Sequence, residues 1–204
     1  YNNAIKYTFN KIKEGFVGTP LSIEASMSTG LNVDFKKRLM SYNVLAPSMY
    51  IYGCHLIDLI VSILGKPKRV IPFNKKTVID NLDLEDSGFA ILEYDKGIAT
   101  VRINCSEVNG WERREFTVCG DQGTIMVQPI ETPSKVVICN KEYAKAWNCC
   151  GKEVEIEPQN GRYIDQFKHL YRMINKEEQN PYSYEHEYLV HKLTLEACGY
   201  CFDK

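Results

Sequence analysis

Hydrophobic and polar positions follow two different periods along the first third of the chain. In AIKYTFNKIKEG, Ile5, Phe9 and Ile12 share one face of a helix and a glycine follows as a stop signal, which predicts a short helix. In PLSIEASMS every second residue is apolar or small, which is typical of a strand with one buried face. Residues 30–47 are mostly polar and are predicted to form a loop.

The segment from Met49 to Leu64 is strongly apolar, and Gly65 and Pro67 behind it indicate a helix end. On a helix its polar residues fall at spacings of four, three, three and four, which places them on one narrow stripe: Ser48, Tyr52, His55, Asp58 and Ser62. The other faces are apolar, so we expect a helix that is buried on most sides.

Short strands follow in a group. GFAILEYDKGIATVRINC and REFTVCGDQGTIMVQPI each predict a hairpin, and KVVICN and EVEIEP predict two more strands. Two closing helices are predicted, the first with an apolar stripe at Ile164, Phe167, Tyr171 and Ile174, the second beginning near Ser183. Strands that are grouped rather than alternating with helices favour an α+β fold, with one open, mainly antiparallel sheet and helices on one face. No repeat or linker divides the chain, so residues 1–204 are predicted to form a single domain.

The polar stripe on the Met49–Leu64 helix is a candidate for chemistry. His55 and Asp58 are neighbours at i,i+3, where a carboxylate can orient an imidazole and favour its charged form. Gly53 costs a helix about 1 kcal/mol relative to alanine, which suggests close approach of another backbone or a ligand. On spacing alone, a core histidine and aspartate that satisfy each other is the favoured interpretation; one histidine and one carboxylate do not define a reaction.

Composition narrows the class of protein. The formal net charge is −1 and the longest basic run is FKKR, so nothing predicts a nucleic-acid groove, and no apolar run is long enough to span a bilayer. The 8 cysteines lie mostly in apolar runs, as free thiols of a reduced, cytoplasmic protein do. Cys149-Cys150 and the pair Cys198 and Cys201 could supply four zinc ligands, but the first pair lacks zinc-knuckle spacing, so no metal site is predicted. Trp111 and Trp147 are interpreted as packing residues, and the 13 tyrosines favour oligomerisation.

Four motifs in order carry a resemblance to a known family. They are KIKEGFVGTPLSIEAS, GCHLIDLIVSILGKPKRV, REFTVCGDQGTIMVQP and YIDQFKHLYRMINKEEQNPYSYEHEYLVHKLTLEA. Together they resemble the C-terminal domain of the glucose–fructose oxidoreductase / inositol dehydrogenase (Gfo/Idh/MocA) family across nearly the whole chain. The resemblance implies a dihydrodipicolinate-reductase-like C-terminal domain, the substrate side of an NAD(P)-dependent oxidoreductase that acts on a sugar or polyol, and a homo-oligomer formed through the open sheet face.

The resemblance also assigns roles to the stripe. His55 is the candidate catalytic residue, Asp58 a supporting residue, Tyr52 a weaker catalytic candidate, and Gly53 the position of close approach to the cofactor. NAD or NADP belongs to the full-length parent, because the sequence contains no G-x-G fingerprint and therefore binds no dinucleotide alone.

Two departures from the family pattern qualify this assignment. The chain begins at Tyr1 without a dinucleotide-binding domain, so we expect a C-terminal domain of a longer protein that does not turn over by itself. Ile51 stands where many active members carry an aspartate four residues before the histidine. A non-catalytic homologue, or a stand-alone α+β ligand-binding or dimerisation module, therefore remains as the alternative.

Overall fold

The computed structural model describes residues 2–131, 133–142, 151–159 and 161–202. The helices in this part of the chain are α1 (Asn3–Lys13), α2 (Val33–Met40), α3 (Cys54–Leu64), α4 (Ile164–Ile174) and α5 (Tyr184–Cys198). The strands are β1 (Pro20–Ser28), β2 (Arg69–Lys75), β3 (Ser87–Glu93), β4 (Ile98–Asn104), β5 (Glu115–Gly120), β6 (Gly123–Val127), β7 (Val136–Asn140) and β8 (Lys152–Val154). Short 3₁₀ turns occupy Ile79–Asn81 and Gly110–Arg113.

The described strands form one open sheet in the order β2-β3-β4-β1-β5-β6-β7-β8. Only the central pair β1 and β4 is parallel; every other neighbouring pair is antiparallel. The α+β fold with an open, mainly antiparallel sheet is thereby confirmed. The strand predicted from PLSIEASMS has the same bounds as β1, which lies at the centre of the sheet.

One face of the sheet carries the core. Ala25 is opposite Val101 on β4 and Phe116 on β5, so the three side chains lie on the same, fully buried face. Helix α3 packs over β1 and β4 through the buried side chains of Leu56 and Ile57. Burying an aliphatic side chain of this size stabilises the fold by about 1.5–3 kcal/mol, so this contact fixes α3 on the sheet.

The other face of the sheet is open. Glu24 is exposed at its centre, opposite Thr100 and Thr117, while Phe73 and Met126 are exposed on β2 and β6. This face therefore combines a polar centre with apolar side chains on its flanks.

The predicted loop over residues 30–47 is wrong, because α2 lies within it. Asn32 caps α2 by accepting a hydrogen bond from the backbone N–H of Phe35 at 2.9 Å. Its buried side chains are Leu39 and Lys36, and Lys36, only 2% exposed, pairs with Asp80 at 2.7 Å. A buried lysine breaks the apolar periodicity by which a helix is recognised in a sequence.

The helix predicted from Met49 to Leu64 begins differently from an α-helix. Met49–Gly53 forms a π-helical turn, and α3 follows it without interruption from Cys54. A π-turn holds more residues than an α-turn, so Tyr52 and His55 are not related by α-helical spacing alone. In the described part of the chain, no helix has the length and apolar character that crossing a membrane requires.

Candidate active site

A cleft opens where the π-helical turn meets α3. It consists of two adjoining cavities of about 650 and 680 Å³. The residues shared by the two cavities are His55, Trp111, Glu131 and Arg162. Cavities of this size, lined by aromatic and a few charged groups, hold small organic ligands. His55 is therefore placed at the centre of a ligand-sized cleft.

The side chain of His55 is exposed to the cleft, yet the protein around it favours the neutral form of the imidazole. Desolvation by the neighbouring protein atoms lowers the pKa of His55 below its usual 6.5; the nearby Asp58 charge opposes this shift, and the Arg114 and Arg162 guanidinium groups add to it. At neutral pH the ring is consequently uncharged and able to accept a proton.

Asp58 lies on α3, and its carboxylate contacts a residue of α5. Its Oδ1 is 2.7 Å from Nε2 of His186, a contact between elements 128 residues apart. In the described residues no hydrogen bond joins His55 to Asp58, so the predicted support of His55 by Asp58 is limited to the effect of the carboxylate's charge.

Tyr52 and Gly53 end the π-helical turn and have different surroundings, since Tyr52 lines the cleft and Gly53 is buried. Tyr52 is half-buried and lines the cleft together with His55. Burial raises the pKa of its phenol, so the group stays protonated and is a hydrogen-bond donor. Gly53 is buried, and a Cβ there would lie 2.4 Å from Sδ of Met49. The close approach predicted for Gly53 is made by Met49, and this packing gives no support to a cofactor contact.

The segment before β5 contributes further residues to the cleft. Arg114 is buried; its Nε donates to the carbonyl of Ser28 at 2.9 Å and its Nη1 pairs with Glu131. Its guanidinium lies 3.5 Å above the ring of Trp111, which is 48% exposed. The interpretation of Trp111 as a packing residue thus covers only part of its role, because the same ring faces the cleft. In the sequence, the run WERR just before the alternating strand is the signal by which Trp111 and Arg114 could have been recognised as site residues.

Arg162 and Ile51 complete the cleft near His55. Arg162 is exposed and lies at the start of the segment that leads into α4. Ile51 contributes an apolar side chain to the same cavity as Tyr52. The position where the resemblance leads us to look for an aspartate is therefore an apolar wall of the cleft.

The cysteines do not form a site within the described residues. Those described are free thiols: Cys54, Cys105, Cys119, Cys139, Cys198 and Cys201. In the ranges that the structure covers, no three side chains of the metal-ligating types converge. Cys149, Cys150 and Trp147 lie outside the described residues.

Comparisons with known proteins agree with the fold. A family model described as the GFO/IDH/MocA C-terminal domain matches residues 8–126, which include the helix that carries His55. No curated protein matches the chain in sequence.

Solved structures provide the second comparison. A protein assigned as an oxidoreductase from Thermotoga maritima is 20% identical with a TM-score of 0.74, over 97% of this chain and 57% of that one. A protein assigned as an NADPH-dependent oxidoreductase from Desulfitobacterium hafniense is 16% identical with a TM-score of 0.75, over 97% and 59%. UDP-N-acetylglucosamine 3-dehydrogenase from Acidithiobacillus ferrooxidans is 13% identical with a TM-score of 0.73, over 97% and 57%. The chain thus spans less than two thirds of the structures that it matches.

Proposed function

Because the chain belongs to the GFO/IDH/MocA C-terminal domain family, we propose that it is the substrate-binding domain of an NAD(P)-dependent oxidoreductase that acts on a sugar or polyol. The observation that carries this proposal is the position of His55, which lines both cavities of the cleft and whose pKa is lowered by desolvation. One structural neighbour is named NADPH-dependent and another is named UDP-N-acetylglucosamine 3-dehydrogenase, which supports both the cofactor and the substrate class.

The described residues fit the nicotinamide end of such a cofactor but not its pyrophosphate. They contain no glycine-rich loop between a strand and a helix, so they offer no cradle for a pyrophosphate. The cleft beside His55 is open and partly apolar at Ile51 and Trp111, which suits a planar ring next to a substrate. When bound, the nicotinamide supplies the hydride acceptor. We assign the rest of its binding to a dinucleotide-binding domain outside this chain.

The cleft residues transfer the proton and bind the substrate. His55 accepts the proton from the substrate hydroxyl as the carbon is oxidised, and returns it in the reverse direction. Tyr52, held protonated, donates a hydrogen bond to a neighbouring oxygen of the substrate. The Arg114–Glu131 pair provides donors and acceptors in one place, and Trp111 provides an apolar ring face. Such a combination suits a polyhydroxylated molecule, which has both polar edges and C–H faces.

A non-catalytic role is the second candidate, and Ile51 favours it. The apolar side chain lines the cleft near His55, and no carboxylate among the described residues is hydrogen-bonded to the imidazole. A homologue that binds a sugar without oxidising it would need Trp111, Arg114 and Glu131 but not a proton acceptor at His55.

The decisive experiment uses the longer polypeptide that contains these 204 residues. Sugar- or polyol-dependent reduction of NAD(P)+ should fall about 10²–10⁴-fold in His55→Gln, the usual contribution of a general base. His191→Gln is the control, because His191 is exposed on α5 and contacts the ring of Tyr50. Full activity in His55→Gln would remove His55 from the reaction; sugar binding without any reduction by the wild type would establish the non-catalytic candidate.

The isolated chain tests the domain assignment separately. We expect no NAD(P)H binding in a fluorescence titration of the 204-residue protein, because the described residues lack a phosphate loop. Micromolar binding would contradict the assignment.

We also propose that the open sheet face forms the contact of a homo-oligomer. Phe73 and Met126 are exposed apolar side chains on this face, and a second copy of the chain would remove them from water. Met126→Asp should shift the mass measured by light scattering towards the monomer, whereas a monomeric wild type would contradict the proposal.

A further inference from the structure

Helix α4 exposes a complete apolar stripe. None of its described side chains is buried. We define the α4 stripe as the apolar residues on one side of this helix: Ile164, Phe167, Leu170, Tyr171 and Ile174. Their exposed fractions run from 45% at Leu170 to 71% at Ile174. A contiguous exposed apolar patch on a helix marks an interaction surface in most proteins.

The opposite side of α4 is held by its own domain. Asp165 pairs with Lys6 of α1 at 3.3 Å, whereas Arg172 pairs locally, at 2.9 Å, with Glu178 in the segment just after α4. The pair with Lys6 joins the polar side of α4 to α1, and the apolar side is exposed. The exposure of the stripe is therefore a consequence of how the helix is attached.

The beginning of α4 adjoins the cleft that contains His55. Arg162, Tyr163 and Gln166, at the beginning of α4, line one of the two cavities. Asn2 lines the same cavity, and Nδ2 of Asn3 donates to the carbonyl of Glu157 at 2.9 Å. The first residues of the described chain thus lie beside the cleft and close to the segment that leads into α4.

The beginning of α4 thus lies beside the cleft in which a cofactor would meet His55. The solved structures that match the chain are longer, since 97% of the chain covers only 57% to 59% of them. We propose that the α4 stripe is the docking surface for the dinucleotide-binding domain of the same polypeptide. The proposal rests on the proposed function for the identity of its partner.

Oxidative footprinting distinguishes the possible occupants of the stripe. Hydroxyl radicals modify exposed aromatic side chains, so Phe167 and Tyr171 should be strongly labelled in the dilute 204-residue protein. In the longer polypeptide we expect their labelling to fall severalfold, while Tyr188, which is 72% exposed on α5, keeps its labelling. Equal labelling of Phe167 and Tyr171 in the two proteins would overturn the proposal. Protection that grows with the concentration of the 204-residue protein would also overturn it, because a second copy would then be the occupant.

Variants test the role of the apolar side chains. The double variant Phe167→Ser, Ile174→Ser should restore the labelling of Tyr171 in the longer polypeptide, whereas Lys168→Ser, an exposed change outside the stripe, should not. The 204-residue protein with the double change should keep its melting temperature, since both side chains are exposed.

The two proposals fail separately. Protection of the stripe in a longer polypeptide that reduces no NAD(P)+ would contradict the proposed function and leave the docking surface intact. An active oxidoreductase with an unprotected stripe would contradict only the docking proposal.

Discussion

Helices α4 and α5 follow each other in the sequence but are held by the domain in different ways. Helix α4 has the clearer apolar stripe, and Phe167 within it is 66% exposed. Helix α5 has little periodicity, yet it buries Leu193, Ala197 and Cys198. An amphipathic pattern therefore predicts that one face of a helix is to be covered; it does not say whether the same domain or another body covers it.

The attachment of α5 explains why weak periodicity suffices. The helix packs on β2, on the π-helical turn and on α3, so apolar neighbours meet it from several directions. Polar contacts fasten both ends: His186 meets Asp58 near its beginning, and Asn74 donates to the carbonyl of Ala197 at 2.9 Å near its end. A helix surrounded in this way needs no single narrow stripe.

The largest expected effect comes from truncating a leucine on each helix. Leu193 is 3% exposed, so Leu193→Ala should lower the free energy of unfolding by about 2–5 kcal/mol through lost burial and a cavity. Leu170→Ala on α4 should change it by less than about 0.5 kcal/mol. Urea denaturation of the 204-residue protein measures both. Similar losses for the two variants would mean that α4 is packed in solution.

The next effect concerns the polar attachments. Asp58→Asn weakens the contact with His186 and should lower the free energy of unfolding by about 0.5–1.5 kcal/mol, the usual value of one hydrogen bond. Asp165→Asn removes the exposed pair with Lys6, for which about 0–1 kcal/mol is typical. If the Asp165 variant were the less stable of the two, α4 would be held more firmly than α5.

The ends of the two helices give a smaller contrast. Helix α5 ends at Gly199 with φ 103°, whereas Lys176, just after α4, adopts a left-handed φ of 60°. This conformation is strained for a residue with a Cβ. Lys176→Gly should therefore raise the free energy of unfolding by about 0.5–1 kcal/mol, and Gly199→Ala should lower it by about 1 kcal/mol. Thermal melts of the two variants should move in opposite directions; a shift in the same direction would contradict the left-handed end of α4.

The sequence predicts the elements of this fold well where local patterning and tertiary packing agree. The alternation in PLSIEASMS defines β1 because one of its faces lies on the core. The sequence does not reveal α2, because one of its two buried side chains is Lys36, whose partner Asp80 lies 44 positions away. The partner that neutralises a buried charge can be far away in the sequence, so a local window of sequence does not contain it.

The candidate site shows the same limit. His55 was found because it lies on one helix with other polar residues, so a local spacing revealed it. Arg114, Glu131 and Arg162 join it from three different segments, and only the folded sheet brings them to one cleft. The partner of Asp58 was missed for this reason also, since His186 is 128 residues away.

The smallest expected effect separates the charge of Asp58 from its contact with α5. The pKa of His55 lies below 6.5 in the folded protein, chiefly because of desolvation, and the carboxylate of Asp58 limits that decrease. Asp58→Asn should lower the pKa of His55 further, whereas His186→Gln removes the α5 partner, keeps the carboxylate and should change it less. NMR titration of the imidazole C2 proton, assigned with His55→Gln, measures both shifts. Since the unfolded chain takes up this proton first, the contribution of His55 to stability is complete above pH 6.5 and is lost as the pH falls from there towards the folded pKa. A folded pKa above 6.5 would show instead that the Asp58 charge outweighs the desolvation of His55.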